Sequence, residues 1–272
     1  MSVGVLTQFI DSPFYGEALR GIEDVLLTHS FAPLFVSGHW NEQEENSRIQ
    51  MLLQRKVDGV IVLTGKLKDA TLVQMSKSLP VVVTGRQLIK PNIFSIYFDN
   101  QEGVCLAMRH LHSLGHRRIA FISGPLDHAD AEQRLQGYRA ELSRLEIKFD
   151  SKLVLDSDFS ETGGYRATSQ LIQSGTDFSA LIAANDQMAY GARLALYRAG
   201  LRVPEDVSLV GFDDLPHSAF TLPPLTTVRQ SIYEVGASAA HAMLQLLAGK
   251  APNPDPIPAE LVVRESTRRL RA

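Results

Sequence analysis

The chain has 272 residues, a length that supports two domains of ordinary size or one large one. Its hydrophobic share of 44% and charged share of 21% exclude the apolar-poor composition of a disordered chain. With a formal net charge of -3 and Lys and Arg scattered rather than clustered, it lacks the electrostatic footprint of a protein that grips a phosphate backbone by itself.

Short β-branched apolar runs alternate with longer amphipathic stretches, the pattern of strands and crossover helices in a parallel sheet. Val3 to Ile10 reads as a buried strand. Ser12-Pro13 then offers a helix cap and a first-turn proline, and Phe14, Ala18, Ile22 and Leu26 recur every four residues. Further strands are expected at Ala32 to Val36, Val57 to Leu63, Pro80 to Thr84 and Phe94 to Phe98, with helices around Glu42 to Arg55 and Lys68 to Ser78. After Asn100 the pattern begins again. Strands are expected at Arg118 to Ser123, Leu153 to Leu155, Ala180 to Ala184 and Val207 to Phe212, and helices near Ala131 to Leu145, Gly163 to Gln173 and Gln187 to Ala199. The fold class is therefore α/β, with two doubly wound parallel-sheet lobes rather than one barrel. No Gly/Ser/Pro-rich linker separates them; the proline cluster at 252–258 lies near the carboxyl end.

Several apparent motifs fail on spacing. Gly59 to Gly65 with Lys66 resembles a phosphate loop, but its glycines are one residue too far apart and Leu67 replaces the hydroxyl that would hold magnesium. His110, His112 and His116 lie two and four apart with no second ligand group beside them, so surface or capping roles are expected. Asp156 to Ser160 starts like a calcium loop, yet Glu161 and Ala167 occupy the positions that demand glycine and a bidentate glutamate. Cys105, the single cysteine, sits in an apolar stretch and reads as a small buried hydrophobe. No nucleophile is paired with a base, so no catalytic residue, metal or cofactor is expected. The amino terminus shows neither a basic start nor a small-residue cleavage site, and no apolar run approaches the ~20 residues of a membrane span. A cytoplasmic location is the expectation.

In open α/β sheets ligands sit beyond the carboxyl ends of the strands. Those ends carry Gln8, Asp11, Phe14 and Tyr15 after the first strand, then Thr64, Asn185 and Asp186, Asp213 and Asp214, and Gln230. Carboxylates and amides match ligand hydroxyls, and aromatic rings match a flat apolar face, so a sugar, nucleoside or nucleobase would suit this set. Each residue also has a structural alternative. Asp186 is placed to cap the following helix, Asp213 and Asp214 to form a turn, and Phe14 to start the core face, which leaves Tyr15 as the more exposed stacking ring.

Four ordered blocks carry a family resemblance: Asp130 to Tyr138; Ala184-Asn185-Asp186-Gln187-Met188-Ala189 with Gly191-Ala192; Val203 to Asp214; and Pro224 to Gln230. Together they resemble the effector core of the lactose and galactose repressor family of bacterial transcription regulators. Asn41 to Glu45, Asp130 to Glu132 and Glu161 to Gly164 look nearest to galactose-type members. The resemblance implies a periplasmic binding protein-like (type I) core, its lobes joined by three crossovers, 1–98 plus 229–259 and 99–228 plus 260–272. It implies a small-molecule effector between them, a hexose or hexoside, and a homodimer that meets operator DNA only through an amino-terminal head. By the same resemblance Arg134, Asn185 and Asp213 hydrogen-bond the effector, Asp130 and Gln230 assist, and Phe14, Tyr15 and Phe159 form the walls. Gly85-Arg86 departs from the pattern of many members, which carry Asp or Asn before the arginine, so no ligand bond is expected from that loop. Members carry a helix-turn-helix head and hinge helix of roughly sixty residues before the first strand. The expectation here is an excised core or a standalone sensor, the alternative functions being a transport-type sugar-binding protein or a glycosidase using Asp213.

Overall fold

The computed structural model describes residues 1–253 and 257–270. Of the proline cluster, residues 254–256 lie outside the described residues, as do 271–272 at the end of the expected second lobe. The chain divides into two units, Met1–Phe98 with Ser231–Ile257 and Asp99–Gln230 with Pro258–Ala272, and so passes between them at three places.

The first unit is built on a parallel sheet of β1 (Ser2–Thr7), β2 (Ala32–Ser37), β3 (Gly59–Val62), β4 (Val81–Thr84) and β5 (Ile93–Ile96) in the order β2-β1-β3-β4-β5. Alternation along each strand feeds two cores. Val3, Val5, Ile61 and Val82 face one cluster, and Leu6, Val60, Val62, Val81 and Val83 face the other. Burial on both faces is why these strands read as continuous apolar runs. Helix α1 (Pro13–Thr28) covers the first face, while α2 (Glu42–Gln54) and α3 (Asp69–Met75) supply Ile49, Leu52, Leu72 and Met75 to the second.

In the second unit, α4 (Asn100–Ser113) leads into β6 (Ile119–Ser123), α5 (Ala129–Arg144), β7 (Val154–Asp156), α6 (Glu161–Gln173), β8 (Ala180–Ala183), α7 (Asp186–Arg198), β9 (Ser208–Asp213) and β10 (Thr226–Arg229). The chain then forms α8 (Ile232–Leu247) in the first unit and returns as β11 (Glu260–Val262). Sheet order is β11-β10-β9-β8-β6-β7, with only β11 antiparallel. From β6 the chain turns to one side for β7 and then to the other for β8. The topological switch therefore falls between β6 and β8, where a ligand crevice is expected at the carboxyl ends.

Helix α8 and strands β10 and β11 were not assigned from sequence. The first packs against α1 so closely that a Cβ on Gly236 would lie 2.0 Å from the Ala18 carbonyl oxygen. Close approach of the two backbones accompanies side-chain contacts between the same helices, where the Arg20 guanidinium lies over the Tyr233 ring and the Tyr233 hydroxyl donates to Asp24 Oδ2 at 3.0 Å.

The rejected motifs have structural partners. Both Glu45 carboxylate oxygens accept from Lys66 N, at 3.0 and 2.9 Å, and one also accepts from Leu67 N at 2.8 Å, so amides that a phosphate would need are already taken. Asp158 is spent on Ser160 and Arg166. His116 corrects the expected surface role: it is buried, with Nδ1 2.9 Å from Ser179 Oγ and Nε2 3.0 Å from the Arg268 carbonyl oxygen.

Candidate functional site

The site is best developed at the carboxyl ends of β6, β8, β9 and β10. Arg134, on the second turn of α5, is buried there and its guanidinium is held on three sides. Nε donates to Asn100 Oδ1 at 2.8 Å, Nη1 to the Ala184 carbonyl oxygen, and Nη2 to Gln230 Oε1 at 3.3 Å. Its carbon lies 3.8 Å over the Phe212 ring and 6.0 Å from the Phe159 ring, so the cation is also held by aromatic faces.

Asp213, the last residue of β9, faces this fork with Oδ1 3.8 Å from Arg134 Nη2. It is 4% exposed, and that oxygen has no hydrogen-bond partner among the described residues. Desolvation raises its carboxyl well above the usual carboxylate range; Arg134 opposes the shift, and the charges of Asp186 and Asp130 add to it. Its φ of +115 is a region that residues with a Cβ seldom occupy. A strained backbone and a buried acceptor without a donor are both costly, and such features concentrate at ligand sites.

Around this pair, Asp130 Oδ1 accepts from Asn100 Nδ2 at 2.9 Å. Asn185 is the N-cap of α7: its Oδ1 accepts from Met188 N at 2.8 Å and its Nδ2 donates to the Phe159 carbonyl oxygen at 2.9 Å. That second bond fixes the turn at Phe159, whose φ is +63. Of the eight residues expected to bind ligand, Asp130, Arg134, Phe159, Asn185, Asp213 and Gln230 are thus linked by direct contacts or through one intermediary within the second unit.

Phe14 and Tyr15 belong to the first unit, and their expected exposures are reversed. Tyr15 is 8% exposed and shares the buried face of α1 with Ala18, Leu19, Ile22 and Leu26, while Phe14 is half-buried at the edge of that face. The Tyr15 hydroxyl lies 3.2 Å from Thr64 Oγ1, and the two rings meet edge to face at 5.2 Å. Gln8 is consumed by Trp40 N and the Thr64 carbonyl oxygen, and Arg86 by the carbonyl oxygens of Leu67 and Gly65.

Asp186 is a second correction. It does not cap α7, since Asn185 does; it is fully buried and accepts from Leu215 N at 2.8 Å and from the hydroxyls of Ser218 and Thr227 at 2.6 Å each. Desolvation pushes its carboxyl up to about 6 against those bonds. Asp214 instead pairs with Arg229 at 2.8 Å and Arg264 at 2.6 Å. Among the described residues no group of three or more His, Cys, Asp or Glu is placed to hold a metal, and no helix is long and apolar enough to cross a membrane.

The periplasmic binding protein-like domain family matches residues 108–267. Over 255 residues the chain is 34% identical to the HTH-type transcriptional regulator GalR of Salmonella typhimurium, covering 93% of this chain and 74% of that protein. The chain belongs to the lactose/galactose repressor (LacI) family. A LacI-family transcriptional regulator from Enterococcus faecium, solved with bound ribose, matches this LacI-family chain with a TM-score of 0.87 at 28% identity, covering 100% of both. The lac repressor dimer bound to operator and an anti-inducer also has a TM-score of 0.87 at 28% identity, over 98% of this chain and 94% of that one.

Three members of this LacI-family site escaped the sequence reading: Asn100, the Phe212 ring and the Ala184 carbonyl. Phe212 looks like any buried strand residue, and a backbone carbonyl has no sequence signal. Asn100 had one: an Asp-Asn pair between a strand and an apolar-periodic run, where one residue caps and the other is left for a different task.

Proposed function

We propose that the chain is the effector-binding and dimerisation core of a bacterial transcription regulator, and that its effector is a neutral polyhydroxyl molecule of the hexose or hexoside class. The observation that carries this reading is the buried Asp213 Oδ1, left without a donor beside the Arg134 fork. A ligand hydroxyl donates to the carboxylate and a neighbouring ligand oxygen accepts from the guanidinium. The Arg134 guanidinium already faces the Asp213 carboxyl, and Asp130 is joined to it through Asn100, so an anionic ligand would meet acidic groups that a neutral one tolerates. Phe159 offers the ring for the ligand's apolar face. Phe14 and Tyr15, in the first unit, are kept as ligand-contact candidates by family analogy alone, Phe14 being the ring with more exposed surface.

The ribose-bound relative and the likeness to GalR support a sugar over other small polar ligands. Relatives that are transcriptional regulators support regulation over turnover, and a cytoplasmic location goes with work on operator DNA. Homodimerisation is supported by the lac repressor dimer and by an exposed apolar face on the second unit. There Tyr197, Phe220 and Leu222 are 79%, 80% and 80% exposed beside a groove of about 840 Å³. Large apolar side chains left in water side by side mark a contact surface. The ligand prefers one arrangement of the regulator and shifts its population, which alters DNA binding.

Titration calorimetry of the chain with D-galactose, methyl β-D-galactoside, D-ribose and cytidine tests the reading. Saturable binding of a sugar, without its turnover, is expected. Binding of cytidine alone would reassign the effector to nucleosides; hydrolysis of the galactoside would replace regulation with catalysis.

A further inference from the structure

Asn100 opens α4, yet its side chain takes no part in starting the helix. The cap is Asp99, whose carboxylate accepts from Glu102 N at 2.9 Å. Asn100 is 2% exposed, and its amide joins groups from one face of α5. Oδ1 accepts from Arg134 Nε at 2.8 Å; Nδ2 donates to Asp130 Oδ1 at 2.9 Å and to Gln133 Oε1 at 3.1 Å. Both amide N–H groups and the carbonyl are therefore engaged.

Only one orientation of this amide works. Turned over, its NH2 would face the Arg134 N–H and its carbonyl would face the Asp130 carboxylate, setting donor against donor and acceptor against acceptor. The fixed amide in turn fixes the arginine. Nε is the pivot of the planar guanidinium, so anchoring it sets the plane in which Nη1 reaches Ala184 and Nη2 reaches Gln230 and Asp213. Asp130 and Arg134 stand one turn apart on α5, and a single side chain from α4 holds both.

We propose that Asn100 is the positioning residue of the effector site, orienting Arg134 and Asp130 for the ligand without touching it. The proposal rests on the ligand reading above for its function, but not for its geometry. An apolar residue at this position leaves Arg134 Nε unanchored, whereas an aspartate keeps that acceptor and opposes Asp130 instead.

The test uses Asn100→Leu, Asn100→Asp and, should the leucine variant fail to fold, Asn100→Ser, with the unfolding midpoint of each recorded without ligand. Hydrogen exchange of the Arg134 Nε–H, assigned by its loss in Arg134→Lys, is followed by NMR in the absence of sugar. Exchange should be at least tenfold faster in the Leu or Ser variant than in the parent and near the parental rate in the Asp variant. Affinity for D-galactose or D-ribose should fall at least tenfold in the Leu or Ser variant. If these variants lower only the unfolding midpoint, leaving the folded protein's Nε–H exchange and sugar affinity unchanged, Asn100 is a structural residue and the proposal is overturned. If the parent binds neither sugar while the exchange pattern appears as expected, the sugar reading falls and the positioning of Arg134 stands.

Discussion

Replacing Asp186 by asparagine separates the charge of this carboxyl from its hydrogen bonds. Asparagine can still accept from Leu215 N and Ser218 Oγ with its oxygen, and its NH2 can donate to the Thr227 hydroxyl, which turns to accept. What disappears is the buried charge. In the folded chain the carboxyl is raised from 3.8 to about 6, so the folded state holds its proton more tightly than the unfolded state does. Stability from this group is complete below its ordinary value and is lost as the pH rises through about 6. A shift of about two pH units corresponds to roughly 3 kcal/mol. Asp213, whose carboxyl is also pushed up by burial and further by the Asp186 charge, acts in the same direction. Urea unfolding of the parent and Asp186→Asn at pH 4.5, 5.5, 7 and 8 should show the variant gaining on the parent by up to that amount as the pH rises. A difference that is flat with pH would refute the reasoning. So would a parent that gains on the variant, since the three hydrogen bonds would then outweigh desolvation.

Two further outcomes follow from packing and surface. Gly236→Ala places a methyl group 2.0 Å from the Ala18 carbonyl oxygen and must push α8 off α1, costing about 1–3 kcal/mol in denaturant unfolding. Phe220→Asp with Leu222→Asp puts two charges on the exposed apolar face of the second unit. By sedimentation the protein should pass from dimer to monomer with its unfolding midpoint nearly unchanged; a dimer that survives would move the contact elsewhere.

The strands were legible because both sheet faces are covered, which turns Gly59–Val62, Val81–Thr84 and Ala180–Ala183 into unbroken apolar runs between turn signals. Helix α8 went unassigned although Ile232, Val235, Ala239 and Met243 form a buried face at helical spacing; the small residues between them, which let α1 approach, dilute that face. Within the site, Asp213 could be found because it directly follows the apolar run from Val207 to Phe212, and it closes β9. Arg134 could not, since an arginine on a polar helix reads as solvated until its partners at Asn100, Ala184 and Gln230 are in view, and only the family resemblance supplied it. The cap of α7 falls to Asn185 rather than Asp186 for a simple reason: both residue types cap helices, and sequence does not say which of two neighbours keeps the extended backbone. Here Asn185 does, at φ -152, leaving Asp186 to turn inward. Tyr15 and Phe14 exchanged roles through a helical phase error of one residue.

The most direct measurement is calorimetric titration of the parent, Asp213→Ala and Arg134→Ala with D-galactose and D-ribose, alongside their unfolding midpoints. If the Asp213 carboxylate and the Arg134 fork hold the effector, at least one sugar binds the parent and each folded variant loses at least a hundredfold in affinity, about 2.7 kcal/mol. Folded variants that bind as tightly as the parent would contradict the site.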